Sequence, residues 1–164
     1  MSIALVTGSN GLVGSETSIF LLNKGFIVLG IDNNQRKKFF GQDGDTKRIK
    51  NYLCTNFKNY IHFDLDIRNK NKLQKIFQKY NKDIKFILHA AAQPSHDWAY
   101  NNYTEDFQIN AIGTYNMLEL TKKYNPKAAF IFTSTNKVYG DNPNKINFTE
   151  SKTRWLPKHK IKFR

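Results

Sequence analysis

The run Ile3-Ala4-Leu5-Val6-Thr7-Gly8-Ser9-Asn10-Gly11-Leu12-Val13-Gly14 leaves the backbone few choices. A short apolar strand ends in a turn with glycine at every third position, and a helical pattern follows at once. In such a turn the first glycine permits a tight reversal, the second lets a pyrophosphate approach the backbone, and the third lets the helix pack on the strand. The free N–H groups at the helix N-terminus then favour an anion. A glycine triplet alone is a weak signal. This one follows a strand, opens a helix and precedes an acid, Asp32, at the end of the next strand, which is the layout of a dinucleotide site.

Apolar strands and amphipathic helices alternate along the rest of the chain, the pattern of a parallel sheet covered on both faces. Strands are expected at about 3–7, Phe26 to Ile31, Tyr60 to Phe63, Phe86 to His89 and Ala129 to Thr133. Helices are expected near 11–24, through Leu73, Ile76, Phe77 and Tyr80, and near 104–123. Residues 33–59 read as a long polar loop. After Tyr139 the pattern dissolves, so 141–164, with Pro143, Pro157 and a basic end, reads as an irregular tail. The expected fold class is α/β, a Rossmann-type doubly wound parallel sheet over residues 1–140. Right-handed crossovers order its strands 3-2-1-4-5 and put a ligand at their carboxyl ends, where the winding reverses.

Composition narrows the class. A chain of 164 residues has room for one domain of ordinary size. The single cysteine, Cys54, can form no internal disulfide and has no paired spacing for zinc. No basic stretch precedes the strand-length apolar run at the N-terminus, so neither a signal peptide nor a membrane span is read there, and a cytoplasmic location is expected. The formal charge of +13 invites a nucleic-acid reading. The basic residues are scattered, however, and lysine far outnumbers arginine, so a solvated lysine face is the better reading and neither nucleic acid nor membrane is an expected partner. A positive field still attracts anionic small molecules.

Asp32 stands where dinucleotide folds place the carboxylate that holds the adenosine ribose. Its charge repels a 2′-phosphate, so NAD is expected over NADP; Arg36 is the nearby residue able to accept that phosphate. Asp66 and Ile67, beyond the third strand, are placed to touch adenine, and the small Ala90, Ala91 and Ala92 let the backbone pass close to the nicotinamide ribose. His89 reads as packed or hydrogen-bonded rather than catalytic. Asn110 reads as a polar brace. No metal-ligand set is expected.

Four runs carry a resemblance: Ile31-Asp32-Asn33-Asn34, HAAAQPSHDW from His89 to Trp98, Asn110-x-x-Gly113-Thr114-x-Asn116-x-Leu118-Glu119, and FTSTNKVYG from Phe132 to Gly140. Over about residues 1–155 the chain resembles the NAD-dependent epimerase/dehydratase family of extended short-chain dehydrogenases. The resemblance implies cofactor positions at Gly8, Asn10, Gly11, Leu12, Gly14, Asp32, Asn33, Asn34, Arg36, Asp66, Ile67, Ala90, Ala91, Ala92 and Asn110. It implies substrate positions at Gln93, Ser95, His96, Thr135 and Asn136, with Thr135 the catalytic hydroxyl on the reacting oxygen. It further implies a nucleotide-sugar substrate of the CDP-hexose class, epimerised by hydride transfer to NAD and back to the opposite face. Dehydratases of the family carry an Asp-Glu pair where this chain has Asn136 and Lys137, so dehydration is not expected.

The family's acid/base pair is Tyr-x-x-x-Lys, and none of the eight tyrosines here is followed four residues later by lysine. The expectation is therefore a C-terminally truncated chain without its substrate domain. Two readings stay open: the NAD-binding part of a nucleotide-sugar epimerase, with a homo-oligomer or a complementing C-terminal chain as partner, and a catalytically inactive dinucleotide-binding module.

Overall fold

The apolar run at the N-terminus forms β1 (Ile3–Thr7), with every residue buried. It lies at the centre of the sheet because both neighbours pair with it in parallel: β2 (Ile27–Ile31) on one side and β4 (Ile84–His89) on the other. β3 (Tyr60–Phe63) extends the sheet beyond β2, and β5 (Ala129–Phe132) beyond β4. The resulting order, β3-β2-β1-β4-β5, is the one expected of right-handed crossovers. Thr7 lies opposite both Ile31 and His89, so the three central strands end level. The glycine turn, Asp32 and Ala90 therefore leave the sheet side by side. A computed structural model describes residues 2–159 of this chain.

Alternate residues of the strands feed two cores, as the pleat requires. On one face Leu5, Leu29, Ile31 and Ile87 pack with Leu73, Ile76 and Phe77 of α4 (Lys70–Tyr80) and with Met117 and Leu120 of α7 (Thr114–Tyr124). On the other face Ala4, Val6, Val28 and Leu88 meet Leu21 and Leu22 of α1 (Leu12–Asn23) and Leu53 of α3 (Lys47–Asn56). Phe77 and Leu53 are fully buried, and truncating either to alanine costs about 2–5 kcal/mol.

Three expectations need correction. Residues 33–59 are not a loop: they hold α2 (Arg36–Phe40), a 3₁₀ turn and α3. Ile49, Leu53 and Phe57 sit at helical spacing and pack on the sheet, a stripe too sparse to stand out among polar neighbours. The helix expected near 104–123 is broken into α6 (Tyr103–Phe107), a π-helical segment (Gln108–Gly113) and α7. The tail is not irregular throughout, since β6 (Phe148–Glu150) pairs antiparallel with β7 (Trp155–Pro157); residues 160–164, at its basic end, lie outside the described residues. The chain divides into two compact units, Met1–Thr133 and Ser134–Arg164. Among the described residues no helix is long and apolar enough to cross a membrane.

Candidate functional site

At the carboxyl edge of the sheet a cleft of about 300 Å³ opens, lined by Gly8, Gly11, Leu12 and Val13 of the glycine turn, by Ile31 to Asn33, and by Leu65 to Ile67 and Ala90 to Ala92. The backbone of the turn explains two of its glycines. Gly8 has φ +67°, and a Cβ there would lie 2.8 Å from the Ala90 and Ala91 backbone. A Cβ on Gly14 would lie 2.0 Å from the Gly8 carbonyl oxygen, so α1 packs against the turn only with glycine at that position. The Gly8 and Ser9 amides donate to the Ile31 carbonyl at 2.8 and 3.4 Å, which ties the turn to β2. No side chain caps α1 at Gly11, so the helix start faces the cleft at Leu12 and Val13 without a built-in acceptor.

Asp32 closes one end. Its Oδ2 accepts the Asn10 N–H at 3.1 Å and its Oδ1 the Asn34 N–H at 2.7 Å. Asn34 takes φ +56° to make that contact, and its side chain bridges Asp45, Thr46 and their turn. Asn10, Asn33 and Asn34 meet Asp32 again around a smaller polar recess with Lys37, Lys50 and His62. Beneath the turn, the buried Tyr60 hydroxyl donates to Ser9 at 3.0 Å, and burial pushes its pKa up to about 12.

Another part of the cleft is framed by Leu65, Asp66 and Ile67. The Asp66 carboxylate is engaged by Arg68 at 2.6 Å and by Asn33 at 3.0 Å. Burial raises its pKa, but those donors outweigh burial and hold it below the ordinary value. Glu105 of α6 gathers Gln35 (2.7 Å), Lys38 (2.7 Å) and Arg68 (3.4 Å), while the Phe39 and Trp98 rings pack at a 55° tilt with centres 4.7 Å apart. These contacts fasten the α2 segment over that part of the cleft. Arg36 lines the cleft with its guanidinium over the Phe40 ring.

The residues expected on the substrate side behave differently. Gln93 is buried, its amide donating to Asp106 and to the Ser95 carbonyl, each at 2.9 Å. Ser95 caps α5 (His96–Asn101) by accepting the Trp98 N–H, and His96 is exposed in the first turn. Asn110, in the π-helical segment, holds Gln93 through both backbone groups: its Oδ1 accepts the N–H at 2.9 Å and its Nδ2 donates to the carbonyl at 3.2 Å. Thr135 belongs to the second unit. The side chain of Asn136 lies outside the described residues.

Sequence reasoning missed Val13, Ile31, Gln35, Phe39, Thr46, Leu65 and Ile109, all of which line the cleft. Val13 and Leu65 adjoin named positions and could have been reached by extension. Phe39 and Gln35 carried no signal, because the helix that brings them to the cleft was read as loop. Among the described residues no group of His, Cys, Asp or Glu could hold a metal ion.

A family model described as NAD-dependent epimerase/dehydratase matches residues 4–160. CDP-paratose 2-epimerase of Salmonella typhi is 35% identical over 151 residues, covering 92% of this chain and 41% of that protein. UDP-glucose 4-epimerase of Pisum sativum is 35% identical over 147 residues, covering 89% and 40%. Among solved structures, the UDP-glucose 4-epimerase of Thermus thermophilus in complex with NAD superposes with a TM-score of 0.69 at 26% identity, covering 95% of this chain and 45% of that one. The chain thus spans about two fifths of the length of these relatives.

Proposed function

The chain belongs to the NAD-dependent epimerase/dehydratase family, and from that premise we propose that its cleft binds NAD as the cofactor half of a nucleotide-sugar epimerase. One observation carries the reading: Asp32 lines the same cleft as the glycine turn, beside it, with both carboxylate oxygens anchored on backbone N–H groups. The residues suit the cofactor. The close packing of Gly8 on the Ala90 and Ala91 backbone keeps side chains out of that part of the cleft wall, and the uncapped start of α1 offers donors for a pyrophosphate. Gly8, Gly11, Gly14, Asn10 and Leu12 would hold the pyrophosphate side. Asp32, with Asn33, Asn34 and Arg36 around it, would hold the adenosine ribose; Asp66 and Ile67 would frame adenine, and Ala90, Ala91, Ala92 and Asn110 the nicotinamide side. Bound NAD supplies a reversible hydride acceptor.

The finer proposal is epimerisation of a CDP-hexose, supported by the similarity to CDP-paratose 2-epimerase over most of the chain. In it Gln93, Ser95, His96, Thr135 and Asn136 serve the sugar side, Thr135 donating to the reacting oxygen. Calorimetric titration of the purified chain with NAD and NADP tests the core of this reading. Saturable binding that prefers NAD is expected, and no binding, or a preference for NADP, overturns it. Fusing the chain to the C-terminal part of CDP-paratose 2-epimerase and assaying CDP- against UDP-hexoses tests the substrate class.

A further inference from the structure

Thr7, His89 and Thr114 form a hydrogen-bonded bridge next to the cleft. Thr7 Oγ1 lies 2.7 Å from His89 Nδ1 and accepts the Ala91 N–H at 3.2 Å. His89 Nε2 lies 2.9 Å from Thr114 Oγ1, whose own proton goes to the Asn110 carbonyl at 2.7 Å. These contacts admit one arrangement of protons. Because the Thr114 hydroxyl already donates to Asn110, the Nε2 end must be the donor. Among the described residues Thr7 has no other acceptor for its hydroxyl, so Nδ1 must accept. The opposite tautomer strands the Thr7 proton and makes the Thr114 hydroxyl give up Asn110 to donate to Nε2, and an imidazolium strands the Thr7 proton as well. Thr7 and His89 are fully buried, so water does not answer the stranded Thr7 proton.

The bridge joins three cleft-forming segments. Thr7 immediately precedes Gly8, His89 immediately precedes Ala90, and Thr114 begins α7 directly after the π-helical segment whose Asn110 holds Gln93. Gly8 and the Ala90–Ala91 backbone lie in direct contact, and both line the cleft. We infer that His89, held as its Nε2–H tautomer between Thr7 and Thr114, is a positioning residue that fixes how these two cleft-lining segments sit against each other and thereby the affinity for the dinucleotide. The inference rests on the NAD reading above. Its structural half can be measured without NAD.

Nitrogen-15 NMR of the ligand-free chain, with His89→Phe to assign the ring among the four histidines, should show a protonated Nε2 and an acceptor Nδ1. Thr114→Val should leave the Nε2–H without its acceptor and weaken NAD binding about tenfold, and Thr114→Ser should restore the affinity. Thr121→Val is the matched control. It removes the same kind of back-bond, to the Met117 carbonyl at 2.7 Å, with no histidine attached, and should lower stability without changing NAD affinity. An Nδ1–H or averaging ring in the wild-type chain overturns the proposal, as does a Thr114→Val chain that binds NAD as tightly as wild type. A fixed tautomer in a wild-type chain that binds no NAD overturns the dinucleotide reading, and the positioning role falls with it.

Discussion

Asp32 is held by backbone donors on both oxygens, so it cannot swing aside when a 2′-phosphate approaches. Two such charges about 4 Å apart repel by about 1–4 kcal/mol between water-like and surface-like dielectric. Asp32→Asn keeps an acceptor for one of the two amides and removes the charge. The NAD-to-NADP affinity ratio should fall at least about tenfold, measured by calorimetry; an unchanged ratio would remove Asp32 from the discrimination. His89 gives a pH prediction. Burial pushes its imidazole down to about 4, against about 6.5 in an open chain. The unfolded chain takes up this proton at a pH where the folded chain does not. The contribution is therefore fully present above about pH 6.5 and is lost as the pH falls towards 4, by about 3 kcal/mol in all. Urea midpoints recorded across that window should slope for wild type and flatten for His89→Gln. His62, whose pKa burial also lowers, contributes in the same direction and to both chains alike.

Elements meet in this fold through backbone as well as side chains. α1 rests on the glycine turn so closely that a methyl group on Gly14 would overlap the Gly8 carbonyl. Backbone cannot give way as a flexible side chain can, so Gly14→Ala should destabilise by about 1–3 kcal/mol or more and abolish NAD binding even where the chain still folds. Chemical denaturation and calorimetry on one sample separate those effects; retained affinity would mean that α1 can shift without disturbing the cleft. The π-helical segment between α6 and α7 works at the same scale. Its widened turn accommodates Asn110, whose amide replaces sheet-like partners for the Gln93 backbone. Glu105, one turn earlier, ties the α2 and Arg68 segments together.

Across the whole molecule, the cleft and the base that turnover would need come apart. Every cleft-lining residue falls within Met1–Thr133, whereas abstracting a hydroxyl proton near pH 7 needs a base of matched pKa that no Tyr-x-x-x-Lys pair in this chain supplies. The 164-residue chain should bind NAD yet epimerise CDP-paratose about 10²–10⁴-fold more slowly than a chain carrying the pair; chromatography of the nucleotide sugars checks this, and full-rate conversion would require a different base. The sheet order, the five strands and the glycine turn were legible in the sequence, because strand burial and glycine spacing are local demands written into consecutive residues. α2 and α3 were not, since few of their residues face the core, nor was the π-helical segment, whose Asn110 pairs with the backbone of Gln93 on a different element. The inward turn of Gln93, the hold on Asp32 and the proton order at His89 depend on partners such as Thr7 and Thr114, which only the folded sheet brings within hydrogen-bonding distance. Local pattern determined the five strands, their order and the glycine turn; tertiary packing alone decided how each polar group of the cleft is satisfied, because a buried donor or acceptor is answered by whatever the fold places beside it.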